Sequence, residues 1–119
     1  MPTGAFVHAS AAALTPAFLT VPVLPSTVRA SRAFRVFGTL LPKHRVGAKT
    51  VQLRVWRLRN HAWVVVRTVW ASNSGRTTST RYTATLRLAR GKYRIRAIAP
   101  ADADNTSSGW TGYDSVTVR

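Results

Sequence analysis

The chain has 119 residues, 45% of them hydrophobic, which is enough for one domain with a core and too few for two. It contains no cysteine, which excludes a disulfide framework and a thiolate metal site. Fifteen arginines and three lysines against three aspartates give a net charge of +15. This charge predicts attraction to polyanions, although genome base bias together with solvated strand faces would give the same composition.

The first segment, residues 1–18, is rich in alanine and shows no strand period. Residues 4–11 resemble the end of an export signal with an A-x-A cleavage site, but no basic region precedes them. We expect either the remnant of such a signal or an unstructured leader, followed by a folded domain over residues 19–119. No apolar run approaches the roughly 20 residues that a membrane span needs.

Two extended stretches open the expected domain. Residues 20–25 include Pro22 and Pro25, which donate no ladder hydrogen bonds, so this stretch is predicted to be an edge strand or an extended lead-in. Residues 33–39 are predicted to form a strand that ends at Leu41-Pro42. Phe34 and Val36 are expected to point inward, with Arg35 in water.

A hairpin is predicted next. Residues 50–58 alternate cleanly, which sends one set of side chains into the core and the other set to the opposite face: Val51, Leu53 and Val55 inward, and Gln52, Arg54 and Trp56 outward. Residues 59–62 are predicted to form a hairpin loop before a strand over residues 63–70. If Leu58 pairs with Trp63, Arg54 lies opposite Arg67, a like-charge pair that is mildly destabilising.

In the second half of the chain, two more strands are predicted before the final strand. Residues 72–79 are polar and are expected to form a loop. Residues 81–88 are expected to form a strand whose inward side chains are Tyr82, Ala84, Leu86 and Leu88. A turn at Gly91 then leads into a strand over residues 92–98, in which Tyr93, Ile95 and Ala97 alternate with Lys92, Arg94 and Arg96.

Tyr93 opens this strand a few residues after Leu88 and Gly91. That pattern is typical of a tyrosine corner, in which the ring packs in the core and the hydroxyl bonds upstream backbone. The alternative is a core tyrosine with no special bond. Residues 100–112 are predicted to form a long loop, and residues 113–119 a final strand with Val116 and Val118 inward. About seven short strands without a helix predict an all-β sandwich.

Several of these residues form motifs, namely Phe34-x-Val36-x-Gly38-Thr39-Leu40-x-Pro42, Trp63-x-x-Val66, Leu88-x-x-Gly91-x-Tyr93-Arg94-Ile95-Arg96-Ala97 and Tyr113-x-x-Val116-Thr117-Val118. Across residues 19–119 the chain resembles the immunoglobulin-like (Ig-like, fibronectin-III-like) repeats of secreted or wall-associated proteins from high-GC Gram-positive bacteria. The resemblance implies a seven-stranded Ig-like Greek-key β-sandwich, export, and a non-catalytic role as a spacer, adhesive or binding module. The chain departs from such repeats in its high arginine content and in standing alone rather than beside a catalytic domain.

The sequence offers little for catalysis. Its histidines, His8, His44 and His61, lie near no serine in a nucleophile motif, so we expect no enzyme. Asp102 and Asp104 alternate in a loop and could face one cation, but calcium takes about six to eight oxygen ligands. A solvated turn is the alternative that the sequence favours, and neither a metal nor another cofactor is expected.

The better candidate for function is a surface that combines arginine with tryptophan. In an Ig-like sandwich the strand of Arg54 and Trp56 lies beside that of Arg94 and Arg96, so these side chains are expected on one outer face, with Arg67 on the neighbouring strand. Arginine supplies anion pairing and tryptophan an aromatic platform. Alternatively, Trp56 shields the hairpin backbone and the arginine stems cover apolar surface.

Trp110 lies in the last long loop and is the remaining candidate. It could stack on a sugar or close the end of the core. The predicted ligand-binding residues are thus Arg54, Trp56, Arg67, Arg94, Arg96 and Trp110, and the predicted structural ones are Tyr93, Gly91 and Leu86.

The leading hypothesis for function is a non-catalytic structural or adhesive module of a secreted or wall-associated bacterial protein. The alternative is binding of a polyanion or carbohydrate through the basic, tryptophan-bearing sheet face. The expected partners are a cell-wall polyanion or polysaccharide, or neighbouring domains of a larger protein. Nucleic acid is the less favoured polyanion.

Overall fold

A computed structural model describes residues 15–41, 49–75, 79–101 and 105–119. Within these ranges the secondary structure consists of ten strands: β1 (Thr15–Pro16), β2 (Phe18–Leu19), β3 (Thr27–Val28), β4 (Phe34–Leu41), β5 (Val51–Arg59), β6 (Ala62–Gly75), β7 (Thr80–Leu86), β8 (Gly91–Ile98), β9 (Asn105–Thr106) and β10 (Asp114–Val118). No helix long and apolar enough to cross a membrane occurs among these residues. The expected leader, residues 1–18, lies mostly outside the described ranges, and that division of the chain stays a prediction.

Eight of these strands form two packed sheets that share β6, and β1 pairs in parallel with β9. One sheet contains β2, β4, β7 and residues 72–75 of β6. The other contains residues 62–71 of β6, followed by β5, β8, β10 and β3. The chain changes sheet from β4 to β5, within β6 and from β7 to β8, so that β4 pairs with β7 and β5 pairs with β8, as in an Ig-like Greek key. The predicted all-β, Ig-like sandwich is confirmed.

Apolar side chains from both sheets meet in one core. Strand alternation places them there, because successive side chains point to opposite faces. The inward positions predicted for the long strands are buried or packed against the core: Phe34, Val36, Val51, Leu53, Val55, Tyr82, Ala84, Leu86, Leu88, Val116 and Val118. Arg35, predicted to be in water, is exposed.

The proline-containing lead-in runs along the edge of β4, as predicted. Val23 N–H donates to Phe37 O at 2.7 Å, and Phe37 N–H donates back to Val23 O at 3.1 Å. Pro22, the residue before Val23, is fully buried. The segment then crosses to the other sheet, where Thr27–Val28 pairs in parallel with Thr117 and Val118.

The hairpin between β5 and β6 starts as predicted and then changes register. Asn60 and His61 have φ values of 47° and 66°, which suits a two-residue type I′ turn, and Leu58 pairs with Trp63. A β-bulge between Val55 and Trp56 skips Val66, so the predicted pairing of Arg54 with Arg67 is wrong. Because one extra residue reverses the side-chain alternation, Arg54 instead lies opposite Thr68 and Arg67 opposite Val55.

The polar stretch predicted as a loop over residues 72–79 is partly a strand. Residues 72–75 continue β6 and pair antiparallel with β7. Asn73 is buried, and its Nδ2 donates to Thr50 Oγ1 at 2.9 Å. Polarity alone therefore misled the prediction, because these residues lie on an edge strand, where the backbone ladder and a side-chain hydrogen bond tolerate a polar sequence. Residues 76–78 lie outside the described ranges.

The Tyr93 ring is buried at the start of β8, and its hydroxyl donates to Ala89 O at 2.7 Å. This is the geometry of a tyrosine corner. Gly91, with a φ of 157°, leaves room there for the Arg57 side chain, whose Nη2 donates to Arg90 O at 2.6 Å. The turn before β8 is thus tied to β5 as well as to the Tyr93 hydroxyl.

A second tyrosine, Tyr82, is completely buried in the other sheet. Its hydroxyl donates to Thr20 O at 2.8 Å. Gly38 pairs with it on β4, and a Cβ at that position would overlap the Tyr82 ring. Burial raises the pKa of Tyr82 well above its ordinary value, and an interaction with the Thr20 side chain offsets this only in part.

Candidate functional site

The outer face of the second sheet brings together the predicted arginines and Trp56. In the pairing of β5 with β8, Arg54 lies opposite Arg96 and Trp56 lies opposite Arg94. Directly opposed residues project to the same face of a sheet. The prediction that these two strands are neighbours is therefore confirmed, and the like-charge pair of this sheet is Arg54 with Arg96.

The segment before β10 runs alongside the end of β8 and bonds to it. It places further aromatic rings on the same face of the sheet. Thr111 N–H donates to Ala97 O at 2.8 Å, and the Thr111 hydroxyl accepts from Ala97 N–H at 3.0 Å. Ser108 forms the corresponding pair of bonds with Ala99. Trp110, between them, bridges to Ile98. Much of the predicted loop thus continues the sheet and fixes the position of Trp110.

Arginines and aromatic rings alternate across this face in a chain of cation–π contacts. The guanidinium carbon (Cζ) of Arg94 lies 4.4 Å from the ring centre of Trp63 and 4.0 Å from that of Tyr113. Arg96 lies 5.1 Å from Tyr113 and 4.4 Å from Trp110. Contacts of this length are attractive because a cation meets the negative face of the ring.

The chain of contacts ends at Arg54, whose Cζ lies 4.7 Å from the Trp110 ring centre. Trp56 joins from the side, 5.6 Å from Arg96 and edge-on to Tyr113 with ring centres 6.3 Å apart. We call this set the arginine–aromatic ladder, and its members are Arg54, Trp56, Trp63, Arg94, Arg96, Trp110 and Tyr113.

Stacking leaves one end of each ladder arginine available to a ligand. Arg54, Arg94 and Arg96 are half-buried. Their Nε atoms are buried and have no hydrogen-bond partner among the described residues, and the same holds for Trp56 Nε1. Within that part of the chain, no terminal nitrogen of these arginines is hydrogen-bonded. The guanidinium groups are therefore held by rings, with their terminal N–H groups unpaired.

Arg67 is not part of the ladder, contrary to the prediction. The bulge in β6 places it opposite Val55, and its Nη1 donates to Arg87 O at 3.2 Å. Trp63 and Tyr113 belong to the ladder but were not predicted. Trp63 could have been found, because the register that pairs Trp56 with Val65 puts Trp63 on the same face. Nothing in the local sequence around Tyr113 shows that its segment follows β8.

The metal-binding and catalytic residues considered in the sequence analysis are the acidic pair Asp102 and Asp104 and the three histidines. Among the residues that the structure describes, no group of three or more metal-binding side chains occurs. Asp102, Asp104, His8 and His44 lie outside the described ranges, so the expectations about them stay predictions. His61 is exposed in the hairpin turn.

Comparisons with known proteins give a weak likeness. No family model matches the sequence, and no curated protein matches it. A crystal structure of the CARDB domain of a Pyrococcus furiosus protein, in complex with two metal ions, has a TM-score of 0.48 and 15% identity, covering 89% of this chain and 94% of that one. A solution structure of the same domain has a TM-score of 0.45 and 18% identity, covering 88% and 97%.

A likeness at this level identifies neither a family nor a ligand for this chain. The resemblance to repeats of high-GC bacteria is supported only as far as the Ig-like fold, which the strand pairing itself establishes.

Proposed function

We propose that this chain is a non-catalytic Ig-like module of an exported bacterial protein, and that it binds polyanions through the arginine–aromatic ladder. One observation carries the proposal: Arg54, Arg94 and Arg96 share one sheet face, and their terminal nitrogens are unpaired within the described residues. As a structural or adhesive unit, the module would use this face to hold an acidic surface polymer.

Stacking makes the face suited to this role. A free arginine side chain loses rotamer entropy when it binds an anion, whereas rings within 4.0–4.4 Å already restrict Arg94 and Arg96. A planar guanidinium can pair with two oxygens of a phosphate, sulfate or carboxylate. Arginines two residues apart on β8 recur about every 7 Å along the strand, which suits a polymer with repeated charges.

The partner of this face is proposed to be a cell-wall polyanion or acidic polysaccharide. The net charge of +15 favours encounter with any such polymer, because a strongly basic protein attracts polyanions over long range. Export is proposed from the signal-like residues 4–11, and the structure adds nothing to that part.

The test is heparin affinity as a function of salt. For the Arg94→Gln, Arg96→Gln double variant we expect weaker binding and a slope of log K against log salt that is smaller by about two, one unit for each lost contact. The double replacement by lysine should keep most of the slope, since it preserves the charge but not the planar stacking.

Arg35→Gln is the matched control for the single variants Arg94→Gln and Arg96→Gln, because Arg35 is exposed on the other sheet and its loss removes one charge without touching the ladder. Thermal melting establishes that each variant is folded at the assay temperature. An affinity equally reduced in control and ladder variants would show that total charge alone is responsible and would refute the proposal.

A neutral glycan is the second candidate ligand, because Trp110 is 36% exposed at the edge of the ladder. Binding there would change the fluorescence of the wild-type protein and leave that of a Trp110→Ala variant unchanged. A flat titration across a panel of neutral glycans would exclude this candidate without affecting the polyanion proposal.

A further inference from the structure

A second basic region lies at one end of the sandwich, away from the ladder. It consists of two adjoining clefts of about 570 and about 350 Å³, which share Arg29, Arg32 and Ala33 in their walls. Arg87 lines the larger cleft and Arg119 the smaller one. We call the two clefts together the basic groove. It contains four arginines and no residue of the ladder.

Three backbone hydrogen bonds tie the walls of the basic groove together. Ser31 N–H donates to Leu88 O at 3.0 Å, joining the turn before β4 to the segment after β7. Ala30 N–H donates to Arg119 O at 2.7 Å, and Arg119 N–H donates to Val28 O at 2.9 Å. The backbone that carries the arginines is therefore preorganised, which lowers the cost of ordering on binding.

Arg87 is also held through its side chain. Its Nη1 donates to Ser31 O at 2.9 Å, across the groove wall. Ser31 has a φ of 62°, a left-handed conformation that is uncommon outside glycine. Arg67 Nη1 binds the carbonyl of Arg87 from behind. The bond to Ser31 O holds the Arg87 guanidinium through Nη1 and leaves its other N–H groups available to a ligand, while the bond from Arg67 holds the Arg87 backbone.

No acidic side chain in the lining offsets the positive charge of the arginines. Asp114 is the one acidic side chain in the described ranges, and it pairs with Ile95, several residues away from the strand end beside the groove. Concave walls lined by one sign of charge concentrate counter-ions, so the groove is a stronger local attractor than an isolated surface arginine.

We propose that the basic groove binds a short linear molecule carrying at least two phosphate or sulfate groups. One group would pair with Arg87 and Arg32 in the larger cleft, and the next with Arg29 and Arg119 in the smaller one. Two linked clefts suit a ligand with successive charges better than a single ion, because each arginine can pair with two oxygens of one group. This site is separate from the one in the proposed function.

The test is calorimetric titration near physiological salt with two probes, tripolyphosphate and a sulfated heparin disaccharide. For the Arg32→Gln, Arg87→Gln double variant we expect Kd to rise about tenfold or more for the tighter probe. A preference for one probe distinguishes phosphate from sulfate, and either preference supports the groove when the groove variants weaken binding of that probe.

Lys49→Gln is the control, because Lys49 lies before β5, at the opposite end of the sandwich. The single Arg32→Gln variant tests the groove without disturbing the backbone that Arg87 holds. The proposal is overturned if the wild type binds neither probe, if Arg32→Gln binds as tightly as the wild type, or if Lys49→Gln weakens binding as much as the groove variants do.

Discussion

The two buried tyrosines, Tyr93 and Tyr82, each donate a hydroxyl hydrogen bond to a backbone carbonyl, but over very different distances along the chain. Tyr93 donates to a carbonyl four residues upstream, whereas Tyr82 donates to one 62 residues upstream. The Tyr93 bond closes a turn within one connection, and the Tyr82 bond attaches the lead-in to the centre of the first sheet. The difference shows that a hydrogen bond between residues close in the chain can be recognised from a sequence pattern, whereas one between distant residues cannot.

The largest expected effect comes from core packing on β7, the strand that carries Tyr82, rather than from the Tyr82 hydroxyl. Leu86, two positions beyond Ala84 on the same strand, is 2% exposed. Leu86→Ala should lower the free energy of unfolding by about 2–5 kcal/mol, because it leaves a cavity in the core. Urea denaturation measures this loss. Thr85→Ala, on the exposed side of β7, should cost far less, and equal losses would contradict the inward assignment of Leu86.

Gly38 tests how closely Tyr82 is packed. Gly38→Ala should destabilise the fold by about 1–3 kcal/mol, since the added methyl group would overlap the Tyr82 ring and force it to move. Combining Gly38→Ala with Tyr82→Leu should cost less than the sum of the two single changes, because the smaller side chain relieves the overlap. Strictly additive losses in chemical denaturation would show that the two residues do not compete for space.

Removing each hydroxyl compares the two bonds directly. Tyr82→Phe should cost about 1–3 kcal/mol, because it leaves the half-buried Thr20 carbonyl without its partner. Tyr93→Phe should cost about 0.5–1.5 kcal/mol, since Ala89 is exposed and water can replace the lost donor. Matched denaturation curves give both values, and a larger loss at Tyr93 would reverse the comparison.

Alkaline pH offers the smallest and most selective test. Tyr82 has a pKa raised by burial, so the folded state favours its neutral form, and that contribution is complete below the unfolded pKa of about 10. As the pH rises above that value, stability should fall by up to about 1.4 kcal/mol per unit. The Tyr82→Phe variant should show a shallower decline in thermal midpoint between pH 10 and 11. Identical slopes in both proteins would assign the decline to other groups.

Strand positions and inward side chains were predictable because burial on one face imposes a period of two. Tyr93 and Gly91 were predictable for a similar reason, since the turn and its hydrogen bond lie within a few residues. The bulge in β6 was not, because no residue type marks it, and that single insertion moved Arg67 off the outer face. Tyr82 was predicted inward, but its match with Gly38 depends on strand pairing.

In the candidate site, too, some features were predictable from local sequence and others depend on contacts between distant residues. Arg54, Trp56, Arg94 and Arg96 could be placed on one face from alternation and the neighbouring strands of an Ig-like sheet. Trp110 was a candidate without a position, because the bonds of Ser108 and Thr111 to β8 determine where it lies. The basic groove was not predicted at all, since its arginines come from three separate parts of the chain.

The parallel pairing of β3 with β10 has a mechanical consequence. Ser26 O accepts from Thr117 N–H at 2.9 Å, and the bonds of Arg119 with Val28 and Ala30 extend the same row. Tension applied through the residues before β3 and those after β10 would pull the two strands in opposite directions along their length. This row of hydrogen bonds would therefore be loaded in shear. Its bonds would share the force instead of breaking one after another.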